Sequence, residues 1–157
     1  MPTLYVVATP IGNLGDMSPR AIETLRAVQL IAAEDTRVTM KLLNAFDIST
    51  PLTSCHEHNE RSKAVQIAER MLAENIDVAV TTDAGAPCIS DPGSVLVREA
   101  TERGIPAVAV SGPTAMASAL SVSGMDISEF TFYGFLPRQK NELREKLTDM
   151  ARHSKIA

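Results

Sequence analysis

The segment with the strongest chemical character is the eleven-residue run Asp83–Gly93 (DAGAPCISDPG), which contains two Gly, two Pro and two Asp. Glycine leaves backbone amides and carbonyls accessible, and proline restricts the path of the chain. Such a loop can bind a small polar ligand through its main chain. Thr9–Asp16 (TPIGNLGD) and Ser111–Pro113 (SGP) are similar in composition. Because the glycines of all three segments fall at strand-to-helix turns on one predicted sheet edge, we favour a ligand site over ordinary surface loops.

Two other groups of residues suggest chemistry less directly. His56-Glu57-His58 places two imidazoles at i and i+2, which lie on one face of an extended chain and can bind a metal. No third ligand has suitable spacing, so we favour hydrogen bonding or contact with a substrate, and no metal site is predicted. Cys88 lies inside the glycine-rich and proline-rich run, but no basic residue is adjacent to activate its thiol, so we favour a packing role over a nucleophilic one.

Several common catalytic and nucleotide-binding motifs are missing from the sequence. No Gly-x-Gly-x-x-Gly follows the first apolar run, which argues against a dinucleotide fingerprint. The phosphate-loop motif Gly-x-x-x-x-Gly-Lys-Ser/Thr is absent, and so is the Gly-x-Ser-x-Gly elbow of hydrolases.

Short apolar runs alternate with helical patterns along most of the chain. Helices are indicated by a Ser18-Pro19 start, by the i, i+3, i+4 stripe from Asn59 to Glu74, and by turn residues elsewhere. Continuous apolar strands separated by helices are typical of a parallel sheet that is covered on both faces. We therefore predict an α/β fold with a mostly parallel five-stranded sheet and helices on both faces, its strands lying at Thr3–Ala8, Leu30–Ala33, Leu52–Cys55, Val78–Thr82 and Ala107–Val110.

The pattern changes after Gly124. A further strand is predicted at Thr131–Phe135 (TFYGF), and an amphipathic helix after Pro137. This pair has too little apolar surface to form a domain by itself. We therefore expect an N-terminal α/β domain over residues 1–124, and a linker with the first strand and helix of an incomplete second α/β domain over residues 125–157.

Composition limits the class of protein. A net charge of −4, with 45% hydrophobic and 22% charged residues, is typical of a soluble folded domain rather than a disordered chain. No run of about 18 apolar residues predicts a membrane span, and no basic start followed by an apolar stretch predicts a secretory signal. Cys55 and Cys88 show no metal or disulfide pattern. A reducing, cytoplasmic location is the expectation.

Charge is distributed unevenly. Residues 138–157 contain six basic and three acidic side chains, a net charge of +3, which leaves −7 for residues 1–137. An acidic body repels phosphate backbones, so any contact with nucleic acid has to be local. The basic segment is either that contact or a solvated helix face, and we favour the solvated face.

Five segments, in order along the chain, form a set of motifs: LYVVATPIGNLGD (Leu4–Asp16), AEDTR (Ala33–Arg37), HEHNE (His56–Glu60), TDAGAPCISDPG (Thr82–Gly93) and FYGFLPR (Phe132–Arg138). The chain thereby resembles the tetrapyrrole methylase superfamily of S-adenosylmethionine-dependent methyltransferases. Within it, the chain is most similar to the enzymes that 2′-O-methylate a cytidine of small-subunit ribosomal RNA. Two departures are Thr82, where serine is expected, and SGPTA at Ser111–Ala115, where proline-glycine-proline is usual.

The resemblance implies a class III methyltransferase of which this chain is the N-terminal half. Such proteins are about twice as long, and their cofactor lies in the cleft between two α/β domains. The loop after the fourth strand surrounds the methionine part of S-adenosylmethionine, and the loops after the first and fifth strands face the same cleft. Carried over, the cofactor-binding residues are Pro10, Asp83, Gly85, Pro87, Ile89, Ser90, Asp91, Gly112, Pro113 and Ala115.

The implied acceptor, a ribose 2′-hydroxyl, is a weak nucleophile that benefits from a general base. The catalytic candidates are Glu34, Asp35 and His56, followed by Asp83. The alternative for residues 34–37 is a helix N-cap with a local ion pair. Candidate phosphate contacts are Arg37 and Arg138.

The implied partners are ribosomal RNA or the small ribosomal subunit and a second copy of the chain, with neither a metal nor a membrane. Two alternatives stay open: a cofactor-binding domain without catalytic competence, and a methylase of tetrapyrrole precursors. The AEDTR and HEHNE segments argue against the second of these.

Overall fold

The computed structural model describes residues 1–153, and within them it contains five strands and six α-helices. A short 3₁₀ helix, Leu14–Asp16, follows the first strand. The elements in chain order are β1 (Leu4–Val7), α1 (Pro19–Ala27), β2 (Leu30–Ala33), α2 (Thr36–Ala45), β3 (Leu52–Ser54), α3 (Glu60–Glu74), β4 (Val78–Thr81), α4 (Ser94–Glu102), β5 (Ala107–Val110), α5 (Ala115–Ser121) and α6 (Lys140–His153).

All five strands form one parallel sheet in the order β3-β2-β4-β1-β5. In this register Leu4 of β1 lies opposite Val78 on β4 and Ala107 on β5. Every residue of β2 and β4 is buried, because both of these strands are covered on two faces. β5 is an edge strand, and Ala107 and Ala109 remain exposed. The five strands predicted from the sequence are confirmed, although β1 is one residue shorter at each end and β3 and β4 each end one residue earlier than predicted.

The two faces of the sheet carry different helices, as the direction of the crossovers requires. The chain moves from β1 through β2 to β3 toward one side of the sheet, and then through β4 to β5 toward the other. Because parallel crossovers are right-handed, opposite directions place their helices on opposite faces. α1 and α2 pack with Ile31 and Ala79, whereas α3 and α4 pack with Leu30 and Val78. The predicted covering of both faces is confirmed.

Local signals set most helix boundaries. The Ser18 hydroxyl accepts a hydrogen bond from the Ala21 amide at 3.1 Å, so the predicted Ser-Pro start of α1 is confirmed. α3 begins after Asn59 as predicted, but the Asn59 side chain accepts from the His56 amide at 2.9 Å instead of capping the helix. Asn75, the residue that follows α3, adopts the left-handed conformation in which glycine is often found at this position.

The strand predicted at Thr131–Phe135 is wrong, because these residues form no strand. A β-strand needs a neighbour for its backbone hydrogen bonds, and between Ala119 and His153 the structure contains no strand with which it could pair. The helix predicted after Pro137 is present as α6. Residues 154–157, the last of the predicted second domain, lie outside the described residues.

The chain divides into two compact units. Met1–Ser118 contains the whole sheet, and the second unit begins at Ala119. Within the second unit the Lys146 ammonium lies 5.0 Å from the centre of the Tyr133 ring, a cation–π contact. Over residues 1–153, every helix is too short or too polar to cross a membrane.

Met71 and Leu72 are neighbours on α3, and alanine variants of the two distinguish the effect of burial on stability from that of helix propensity. Met71 is fully buried, whereas Leu72 is 48% exposed. We expect Met71→Ala to lower the free energy of unfolding by about 2–5 kcal/mol, because it removes apolar contacts and leaves a cavity. Leu72→Ala, the matched control, should cost under about 1 kcal/mol. Urea unfolding followed by circular dichroism measures both, and equal losses would contradict the described core.

Candidate functional site

Three loops meet at the carboxyl edge of the sheet, the edge at which all five parallel strands end. The strand order places the ends of β4, β1 and β5 side by side. The connection from β4 leaves toward one face and that from β1 toward the other, which is the arrangement at which open parallel sheets bind ligands. The three loops are the glycine–proline loop (Asp83–Gly93), the β1 loop (Thr9–Asp16) and the β5 loop (Ser111–Pro113).

Thr9 joins the β1 loop to the glycine–proline loop. Its amide donates to the Gly85 carbonyl at 2.9 Å, and the Gly85 amide donates back to the Thr9 carbonyl at 3.1 Å. The buried Thr9 hydroxyl also donates to the Thr82 carbonyl at 3.2 Å. These hydrogen bonds form a one-residue antiparallel bridge and hold the two loops together.

Glycines allow the close approach of the three loops. Gly85 has a positive φ of 85°, and a Cβ at this position would lie 3.5 Å from the Ile11 side chain and 3.8 Å from the Pro113 carbonyl oxygen. Gly85 therefore lies where all three loops converge. At Gly112 a Cβ would come within 2.9 Å of the Ala8 Cβ, so only glycine fits there without movement.

The glycine–proline loop has an unusual backbone between its two ends. Cys88 and Ser90 have φ values of 71° and 62°, although neither residue is glycine. The left-handed region costs an ordinary residue roughly 1–2 kcal/mol, so surrounding contacts must hold this conformation. One such contact is the Cys88 amide, which donates to the Pro92 carbonyl at 3.3 Å. The loop presents Ile89 and Ser90 to solvent in a defined orientation.

Cys88 has the properties of a packing residue, as the sequence favoured. Burial raises the pKa of its thiol to about 11, and the Glu60 carboxylate contributes to the rise. The thiol is therefore protonated at neutral pH and is a weak nucleophile. Its sulfur would lie 3.0 Å from a Cβ at Gly93, so it fills the space beside that glycine.

Glu34 connects the end of β2 to the glycine–proline loop. Its Oε2 atom accepts from the Asp83 amide at 3.2 Å, and its own amide donates to the Thr81 carbonyl at 3.2 Å. Burial raises the pKa of the Glu34 carboxyl, and the nearby carboxylates of Asp83, Asp91 and Asp35 raise it further, against the lowering effect of the Asp83 amide. Glu34 is thus a better proton acceptor than an ordinary glutamate.

Asp35 is next to Glu34, but its pKa is shifted in the opposite direction. It caps α2 by accepting from the Arg37 amide at 2.8 Å, and it forms an ion pair with the Arg37 guanidinium at 2.6 Å. The side-chain hydrogen bond from Arg37 holds the pKa of Asp35 well below its usual range. The N-cap and ion pair that the sequence left as an alternative are therefore present. The Arg37 side chain is 87% exposed.

The His56-Glu57-His58 segment is not extended, because the chain turns at residues 57–59 before α3. The two rings still lie close, with centres 6.0 Å apart and planes at 70°. His56 Nδ1 is buried without a hydrogen-bond partner among residues 1–153. Over the same range no group of three or more His, Cys, Asp or Glu side chains is arranged to bind a metal.

Ten residues were predicted to bind the cofactor, and all of them occur on the three loops of the carboxyl edge or at the start of α5. Glu34 and Asp35 follow β2, and His56 follows β3, at the same edge. Arg138 is an exposed residue of the second unit. Sequence reasoning missed Thr9 and Glu60, whose partners lie 73 and 33 residues away in the chain. No local pattern encodes those contacts.

Known proteins resemble this chain in sequence over nearly its full length. Three relatives, each named "Ribosomal RNA small subunit methyltransferase I", come from Xylella fastidiosa, Pseudomonas aeruginosa and Vibrio cholerae. They are 51%, 51% and 45% identical over 95%, 92% and 98% of this chain. The matches cover 54%, 51% and 53% of the relatives. The chain therefore spans about half the length of the curated relatives it matches.

Solved structures with low sequence identity share the fold. A uroporphyrin-III-C-methyltransferase from Thermus thermophilus matches with a TM-score of 0.59 at 17% identity, over 82% of this chain and 55% of that one. A diphthine synthase matches with a TM-score of 0.60 at 14% identity, over 80% and 49%. The family model described as Tetrapyrrole (Corrin/Porphyrin) Methylases matches residues 3–157. On this evidence, added to the parallel sheet and its three convergent loops, the chain belongs to the tetrapyrrole methylase family.

Proposed function

We propose that this protein is an S-adenosylmethionine-dependent methyltransferase that adds a methyl group to the 2′-hydroxyl of a cytidine in small-subunit ribosomal RNA. The observation that carries the proposal is the glycine–proline loop, which is joined to the β1 loop at Thr9 and Gly85. It occurs in a chain that is 51% identical over 149 residues to a relative named as a ribosomal RNA methyltransferase. We further propose that the protein acts as a homodimer in the cytoplasm.

The residues at the carboxyl edge fit a donor of this kind. Gly85 carries no side chain where the three loops converge. Within the glycine–proline loop, Pro87 is buried, whereas Ile89 and Ser90 are exposed. This combination offers backbone groups to the polar amino-acid part of the donor and apolar contact to its remainder. When bound, S-adenosylmethionine supplies a sulfonium methyl group that transfers by in-line displacement. The protein's contribution is then chiefly to align donor and acceptor.

Glu34 is the proposed general base. Proton transfer is favoured by a carboxylate whose pKa is raised toward the working pH, as burial raises that of Glu34. Asp35 is a poorer candidate because its ion pair with Arg37 lowers its pKa. Since Oε2 of Glu34 accepts the Asp83 amide hydrogen, Oε1 is the atom that would take the proton of the ribose hydroxyl. His56, at the end of β3, is the second candidate.

Arg37 is the proposed phosphate contact of the first unit, and Arg138 that of the second. The Arg37 side chain is exposed at the start of α2, on the same sheet edge as Glu34, so it can meet the RNA backbone near the acceptor ribose.

A methylase of tetrapyrrole precursors fits less well. The likeness to the uroporphyrin enzyme extends to the fold alone, whereas the relatives close in sequence are named for ribosomal RNA.

Labelled S-adenosylmethionine and undermethylated small ribosomal subunits test the function. We expect ribose methylation at a cytidine, and Glu34→Gln should lower the rate by about 100-fold or more while donor affinity is kept. Because the base must be deprotonated, the wild-type rate should fall with decreasing pH through a midpoint above the ordinary glutamate range. Glu69→Gln, which changes an exposed carboxylate on α3, is the control. Donor binding without transfer by the wild type would favour a non-catalytic cofactor-binding domain.

Comparing alanine variants of Gly85 and Gly104 distinguishes an effect on the donor site from an effect of backbone strain. Both have positive φ, 85° and 76°, but only Gly85 lies among the three loops, and Gly104 has open space around it. We expect Gly85→Ala to weaken binding of S-adenosylmethionine at least tenfold, because the added methyl would occupy space between the three loops that the donor is proposed to use. Gly104→Ala bears a similar backbone cost and should leave the affinity unchanged. Titration calorimetry measures both, and equal affinities would argue against a donor site at Gly85.

Arg37 and Arg70 provide a matched pair for RNA binding. Both are ion-paired arginines on helices, but Arg70 lies near the end of α3, away from the carboxyl edge. We expect Arg37→Ala to weaken RNA binding and to reduce the slope of log affinity against log salt by about 0.7–0.9, the value for one lost phosphate contact. Arg70→Ala should change neither. An unchanged slope for Arg37→Ala would remove Arg37 from the interface.

A further inference from the structure

Glu60 is the one charged residue that is buried among residues 1–153, with 8% of its surface exposed. It is the first residue of α3 and the last of the HEHNE segment, and the proposed reaction gives it no role. Burying a carboxylate is unfavourable unless hydrogen bonds compensate for its lost hydration. The contacts of Glu60 therefore indicate what this residue does.

The Glu60 carboxylate caps a helix to which it does not belong. Its Oε1 atom accepts hydrogen bonds from the Gly93 amide at 2.7 Å and the Val95 amide at 3.0 Å. These amides are at the start of α4, whose own N-cap residue is Gly93 and supplies no side-chain bond. The partial positive charge at the start of α4 adds to the attraction of a carboxylate there.

A cap supplied by the side chain of residue 93 itself is disfavoured by the backbone conformation and by packing. Gly93 has a φ of 121°, and a Cβ there would lie 3.0 Å from the Cys88 sulfur and 3.4 Å from the Val80 side chain. Because the usual capping residues other than glycine carry a side chain, each of them would be strained and crowded at this position. The carboxylate that satisfies the first amides of α4 comes instead from α3.

The same contact fixes one end of the glycine–proline loop. Gly85, near the start of the loop, is held by the backbone pair with Thr9, and Gly93, at its end, is held by Glu60. Between these two points Cys88 and Ser90 adopt left-handed conformations that do not persist without external support. The loop is thus held at both ends by residues outside it.

We propose that Glu60 is a positioning residue that fixes the far end of the glycine–proline loop and thereby shapes the donor site. The second part rests on the proposed function of that loop. The Glu60 carboxylate contacts backbone amides at the end of the loop. Its effect on binding is transmitted through the Gly93 and Val95 amides.

Hydrogen exchange measured by NMR tests the positioning role directly. In Glu60→Ala we expect exchange at the Gly93 and Val95 amides to accelerate at least tenfold, because both lose a charged acceptor. Glu60→Gln keeps an acceptor oxygen without the charge, so its acceleration should be smaller. Glu69→Ala, which removes an exposed carboxylate from the same helix, is the matched control and should change neither amide. Should Glu60→Ala fail to fold, the comparison of Glu60→Gln with the control decides.

Calorimetry with S-adenosylmethionine on the same variants tests the consequence for binding. We expect Glu60→Ala to weaken the affinity at least tenfold, Glu60→Gln to recover part of the loss, and Glu69→Ala to match the wild type. Unchanged exchange at Gly93 and Val95, or equal acceleration throughout the sheet, would overturn the positioning role. Absence of donor binding to the wild type would instead overturn the proposed function, and the exchange rates would still decide whether Glu60 fixes the loop.

Discussion

The reciprocal backbone hydrogen bonds between Thr9 and Gly85 are the interaction on which the candidate site depends. They join loops that leave the sheet toward opposite faces, one from β1 and one from β4, which would otherwise diverge. Gly85 adopts the positive φ of 85° at this contact without the strain of a side chain, and it leaves the space between Ile11 and Pro113 open. The backbone pair therefore joins the β1 loop to the glycine–proline loop, and the adjacent order of β4, β1 and β5 places the β5 loop beside them.

Electrostatics at this surface distinguish neighbouring carboxylates of similar chemistry. Glu34 and Asp35 are adjacent in sequence, yet burial raises the pKa of the first and an arginine partner lowers that of the second. This difference is the reason that Glu34 is the proposed base, whereas Asp35 caps α2 and pairs with Arg37. Glu60 shows a third use of a carboxylate, in which a buried side chain replaces the missing cap of a neighbouring helix. The chemistry of an acidic residue here follows from its partners rather than its type.

The fold alone leaves the methyl acceptor open. Proteins that share it at 14–17% identity are named for uroporphyrin and for diphthine, so the parallel sheet and its edge accommodate different functions. The names of relatives near 50% identity point to ribosomal RNA. Under the proposed function, exposed groups around the common edge would select the acceptor. Arg37, which is paired with Asp35, is the proposed example in the first unit.

Patterns local in sequence were sufficient for the strands, the Ser18 cap and the identity of the three loops, because apolar runs, caps and glycine-rich turns are short-range signals. The proposed donor and the proposed reaction follow from the resemblance of the sequence motifs to those of a known family. The strand expected at Thr131–Phe135 failed because strand formation depends on a partner that no local pattern specifies. Only the tertiary structure decided that Thr9 pairs with Gly85, that Glu60 caps α4, and that Cys88 and Ser90 are left-handed, since each depends on atoms brought together by packing from distant parts of the chain.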